Sequence, residues 1–126
     1  MGLFGKNKAA TRAHKLKTGA SIPMTDVDPG FIEWARQTKP ITQPDGHLVT
    51  VKVELVGNDI VAVTADGTVV ARMDPIKTEI YRDEFQALRN NGEYGLADIA
   101  VSPAGKRERV GLLINYDYKC RDGGIL

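Results

Sequence analysis

Lys106, Arg107 and Arg109 sit close together in 103-PAGKRER-109, and Tyr116 and Tyr118 follow on one face of an alternating run. Side chains of these types could follow a phosphodiester strand, because cations offset phosphate charge and rings stack on bases at about 1–3 kcal/mol each. Arg72 and Lys77, between a strand-like run and a helix-like run, add two further cations. Against this, Glu108 and Asp117 interrupt the basic runs, Tyr116 would fit a core equally well, and a charged hairpin tip is often simply solvated. The nucleic-acid-binding candidates are therefore Arg72, Lys77, Lys106, Arg107, Arg109, Tyr116 and Tyr118.

Other chemistries find less support. Gly2-x-x-Gly5-Lys6 lacks the spacing and the Ser or Thr of a P-loop, and Gly92-Glu93-Tyr94-Gly95 puts an acid where a backbone clamp needs bases. His14 and His47 have no second metal ligand at helical or hairpin spacing and are expected to be solvated. Cys120 has no nearby His, Ser21 and Ser102 lack a nucleophile motif, and Asp83 and Glu84 point to different parts of a helix surface. No catalytic residue, cofactor or metal is expected, and the chain is read as non-enzymatic.

The bulk composition agrees with a modest, local site. At 126 residues with 42% hydrophobic and 26% charged residues, the chain fits one ordinary globular domain. Its formal charge of +1 gives no global attraction to nucleic acid or lipid, so any basic surface must be local. The lone cysteine rules out an internal disulfide, and a cytoplasmic setting fits. No run approaches the roughly 20 apolar residues of a membrane span, so no membrane partner is expected. Lys6 stands where an N-myristoylation signal wants Ser or Thr.

Periodicity then supplies the elements that must position these residues. Residues 1–19 carry Lys6, Lys8, Arg12, Lys15 and Lys17 without an acid, and read as a basic, flexible leader. Residues 20–47 read as a short helix, begun by Asp28-Pro29 with Phe31, Ile32, Trp34 and Ala35 as its apolar stripe, and a proline-rich connector. The folded domain is expected at 48–118, followed by a tail at 119–126. Within it, Val49, Val51, Val53 and Leu55 alternate with polar residues as in a half-buried strand. Asp66-Gly67 predicts a type I′ hairpin turn joining strands 60–65 and 68–73. A helix is expected over 78–92, capped by Thr78 and carrying Tyr81, Phe85 and Leu88, and then strands at 94–102 and 110–118. One long helix among at least five strands implies an α+β, mostly β fold: a small curled antiparallel sheet or barrel with a short N-terminal helix.

The block from Val49 to Tyr116 resembles the HIRAN domain, a module of DNA-remodelling helicases that also occurs as small free-standing bacterial proteins. The resemblance lies in Val61-Ala62-Val63, Gly67 to Pro75, and the helix with Ile80-Tyr81-Arg82 and Leu88-Arg89. Ala71, Arg72 and Met73 stand at the places of the family's second glycine, tyrosine and leucine. The resemblance implies a small barrel akin to single-strand-binding barrels of the OB type, and recognition of single-stranded DNA or DNA ends. The alternative is a protein-interaction or self-association module, docking through the Phe31–Trp34 helix or an open sheet edge, on a protein partner or as a homodimer.

Overall fold

The computed structural model describes residues 11–19 and 21–114. Its elements are, in order, β1 (Arg12–Lys15), β2 (Ser21–Thr25), α1 (Pro29–Thr38), β3 (Ile41–Thr42), β4 (Gly46–Val56), β5 (Asp59–Val63), β6 (Val69–Met73), α2 (Pro75–Asn90), β7 (Glu93–Val101) and β8 (Val110–Leu113). Strands β4 to β8 and β2 close on themselves in the order β7-β8-β2-β6-β5-β4, with β4 pairing back onto β7. The result is a six-stranded antiparallel barrel, with β1 and β3 added outside the ring. The fold is thus α+β and mostly β, as the periodicity implies.

Alternation along β4 gives the barrel its inside. Val49, Val51, Val53 and Leu55 are buried, whereas Thr50 and Val56 are exposed. Ile60 and Ala62 of β5, Val70 and Met73 of β6, Ile99 and Val101 of β7, and Val110 and Leu112 of β8 complete the same core. The helices lie at different ends. On one side, α1 packs Phe31, Ile32 and Ala35 inward against β4 and β7, and the Asp28 N–H at its start donates to Val70 O at 2.8 Å. On the other, α2 lays Tyr81, Phe85 and Leu88 against β4, β5 and β7. Arg82 and Arg89 of α2 donate to Asn58 O at 3.0 Å and Leu55 O at 2.9 Å, which satisfies carbonyls around the β4–β5 turn.

Several sequence expectations are corrected. Residues 11–19 are not a mobile leader: β1 runs parallel to the start of β7, and Leu16 is 2% exposed in the core. Leu16 fits there because Gly95 carries no side chain; a Cβ on Gly95 would stand 2.8 Å from Leu16 Cδ1. The folded core also begins well before residue 48. In the 20–47 segment read as a short helix and connector, β2 forms a barrel stave with Ile22 and Met24 inward ahead of the helix, and β4 starts at Gly46 within the connector. His47 is buried at 6% exposure, with Nδ1 2.6 Å from Lys39 O, rather than solvated. His14 lies at the barrel surface, 3.9 Å from Glu93.

Turn and cap chemistry moves two further boundaries. Gly67 N donates to Thr64 O at 2.9 Å, and Gly67 alone in this loop has positive φ, at 90°. Ala65 and Asp66 are therefore the central residues of the turn and Gly67 the left-handed residue after it, a three-residue loop rather than type I′. Helix α2 begins at Pro75, not at Thr78. Asp74 caps it by accepting from Ile76 N at 2.8 Å, and Thr78 turns its hydroxyl back to Asp74 O at 3.0 Å. On β7, Glu93–Leu96 pair with β1, while β8 pairs only with Asp98–Val101. Residues 115–118 of the expected last strand, and the tail at 119–126, lie outside the described residues.

If Leu16 is a core residue, Leu16→Ala should cost about 2–5 kcal/mol in urea unfolding. A mobile leader would leave the midpoint unchanged.

Candidate nucleic-acid interface

The barrel's outer wall is hollowed where β7, β8 and β2 meet. Because Ile99, Val101, Val110 and Leu112 fill the core, their neighbours Ala100, Gly111 and Leu113 alternate to the other side of the sheet, where they are still buried, Ala100 at 7% and Leu113 at 6% exposure. Ser21 joins them from β2, paired with Leu113. Ala100 and Gly111 carry little or no side chain, and the 103–109 hairpin and the loop at Pro44 and Asp45 contribute to the same lining. The groove so formed has a volume of about 420 Å³. Lys106, Arg107 and Arg109 line it, with Asp45 as the one acid among its described residues.

Local hydrogen bonds hold the hairpin over this groove. Ser102 N donates to Arg109 O at 3.0 Å, Lys106 N to Pro103 O at 3.2 Å, and Gly105 takes the positive φ of 86° that the tip requires. Ser102 is the junction between hairpin and helix. Its Oγ accepts the Arg109 N–H at 2.9 Å and Arg36 Nη2 at 3.4 Å, while Arg36 Nε donates to Ser102 O at 2.9 Å. A hydroxyl has two acceptor sites and one donor. Both acceptor sites of the Ser102 hydroxyl are thus engaged. Ser21 sets a second hydroxyl on the floor, so close to Gly111 that a Cβ there would meet Ser21 Oγ at 1.7 Å. Among the described residues, no ion pair or hydrogen bond occupies the side chains of Lys106, Arg107 or Arg109.

The other sequence candidates lie elsewhere. Arg72, paired with Thr25 at the far end of β2, makes ion pairs with Asp26 at 3.7 Å and Asp59 at 3.5 Å. Lys77 stands half-buried in the first turn of α2. Tyr116 and Tyr118 fall outside the described residues. Three of the seven candidates are thus gathered at one groove, and the described residues of its lining include no aromatic ring. Sequence reasoning missed Ser21, Ser102, Arg36 and Gly111. Of these, only Gly111 carried a signal, since a glycine inside a strand marks a place where something approaches closely.

Among the described residues, no three His, Cys, Asp or Glu side chains are grouped to hold a metal, and no helix is long and apolar enough to cross a membrane. Comparison with protein-family models, with curated proteins and with solved structures finds no match to this chain. Its own side chains are the ground for assigning chemistry, and the groove brings three cations and two hydroxyls together, a set suited to an anion.

Ser102→Ala removes the acceptor that pins Arg109 N–H and should cost about 0.5–1.5 kcal/mol. Hydrogen exchange at the Arg109 amide should accelerate accordingly, and the amides of β4 should be unaffected.

Proposed function

We propose that this chain is a HIRAN-like barrel module that binds single-stranded nucleic acid, including the single-stranded end of a duplex, and carries out no chemical step on it. The observation that carries the reading is the set of Lys106, Arg107 and Arg109, free of partners among the described residues, over a groove floored by Ala100, Gly111 and Ser21. Phosphates would lie against the three cations and accept from the Ser21 and Ser102 hydroxyls. With no ring in the described lining, grip comes from phosphate and sugar rather than from stacking, so affinity should tolerate sequence and fall steeply with salt. Arg72 has a lesser part in this reading, because Asp26 and Asp59 already take up its charge.

The test is a fluorescence-anisotropy titration with labelled oligo-dT, blunt duplex and duplex bearing a 3′ overhang, at low and moderate salt. Replacing Lys106, Arg107 and Arg109 together by Ala should weaken strand binding about tenfold or more at low salt. It should also flatten the dependence of log K on log salt by about 2, at roughly 0.7 for each phosphate no longer neutralised. Arg72→Ala should leave both nearly unchanged. Absence of binding at low ionic strength, or indifference to the triple replacement, would remove the proposal.

A further inference from the structure

A second depression lies on the α1 side of the barrel, and its character is opposite to that of the basic groove. It is a cleft of about 490 Å³ between the start of α1 and the β5–β6 hairpin. Phe31, Trp34, Ala65 and Val70 give it apolar walls. Trp34, the single tryptophan of the chain, is 44% exposed there, with its ring centroid 6.0 Å from that of Phe31. A large ring left half in water beside a formed hollow is surface available to a partner.

The charged groups of the lining carry one sign. Asp28 and Asp66 are its charged residues, and the described residues of its lining include no Lys, Arg or His. Both carboxylates are held in place: Asp28 accepts from Gly30 N at 3.2 Å, and Asp66 from Thr68 N at 3.2 Å and from the Thr64 hydroxyl. The Thr64 hydrogen bond first, and those from Thr68 next, hold the Asp66 carboxyl below the ordinary carboxylate value, so it stays ionised at neutral pH. Lys39, which is not in the lining, holds its Nζ over the Trp34 ring at 5.5 Å from the centre, a cation–π contact that shows this ring accepting an ammonium. Within the lining itself the two carboxylates leave the charge negative. An aromatic wall with acids beside it suits an alkylammonium, whose methylene stem lies on the rings while its charge meets the carboxylates.

We propose that this cleft is a docking site for a lysine-bearing, extended segment of a protein partner. The stem of one lysine would lie along Trp34, Phe31 and Val70, and its ammonium would meet Asp66 and Asp28. Charge complementarity selects this occupant: the same carboxylates repel a nucleic-acid strand. The site is independent of the basic groove, so the module would hold a strand on one face and a basic polypeptide on another.

Emission from Trp34 reports the cleft directly, since the chain has no other tryptophan. The intact protein is titrated with a short capped peptide of alternating glycine and lysine, and with the same peptide carrying glutamate in place of lysine. The expected result is a saturable change with the lysine peptide, none with the glutamate peptide, and loss of the change as salt rises. Asp28→Asn with Asp66→Asn should weaken lysine-peptide binding at least tenfold, because Asn still caps a helix and still suits the turn. Asp66→Asn alone, at a site of no core contact, should weaken it severalfold and guards against a folding defect in the double variant. The Lys106, Arg107 and Arg109 replacement should bind the peptide like wild type, so this proposal and the strand-binding one fail separately. An equal response to both peptides, or unchanged affinity in the Asp-to-Asn variants, would overturn the proposal. So would emission that shifts with protein concentration alone, which would assign the cleft to a second copy.

Discussion

The barrel closes through β2, and the rest of the structure depends on that closure. Five residues are shared between two neighbours: Ser21–Pro23 pair with β8, and Met24 and Thr25 with β6. Were this strand absent, β6 and β8 would each expose a row of unpaired backbone groups, and Ile22 and Met24 would leave the centre of the core. Pro23 is tolerated because it is asked only to accept: its carbonyl takes the Asp74 N–H at 3.2 Å, where α2 begins. One short strand thus joins the two halves of the ring and anchors the start of the helix that covers one end.

The same strand creates the groove. Its inward residues are fixed by the core, so its outward residues must face the wall beside Gly111 and Leu113. Close approach of Ser21 to Gly111 needs a residue without a side chain on β8, because the Ser21 hydroxyl takes the space that a Cβ would fill. Next to it, Ser102 follows the end of β7 and links hairpin to helix through Arg109 and Arg36. Core packing therefore positions both hydroxyls outside the barrel, and that of Ser102 also holds the hairpin to the helix.

What could be read from the sequence follows from how strongly each segment states its period. The alternation of β4, the Asp28-Pro29 start of α1 and the Tyr81, Phe85, Leu88 stripe of α2 are each long or chemically specific enough to place without a partner. β1 and β2 are not. RAHK and SIPMT are short, the first polar and the second broken by a proline, and each becomes a strand only because β7, β8 and β6 offer unpaired edges. Their stability comes from distant residues, which local propensity does not contain. The candidate site shows the same division. Lys106, Arg107 and Arg109 are visible as a cluster because they are neighbours in the chain, whereas Ser21 and Arg36 join them only through sheet registry and helix docking.

Unpaired surface cations do not by themselves mark a site, since an exposed ion pair contributes only about 0–1 kcal/mol and folding loses little by leaving one unmade. The distinction lies in what surrounds them. Arg72 and Arg82 are also exposed or half-exposed, and each has found a carboxylate within 4 Å: Asp26 and Asp59 for the first, Glu79 for the second. The hairpin cations have Glu108 beside them in sequence and Asp45 across the groove, yet pair with neither among the described residues. With a net charge of only +1, the chain exerts little attraction beyond a Debye length of about 8 Å. The attraction that Lys106, Arg107 and Arg109 exert on an anion is therefore local to the groove they line rather than a property of the whole surface.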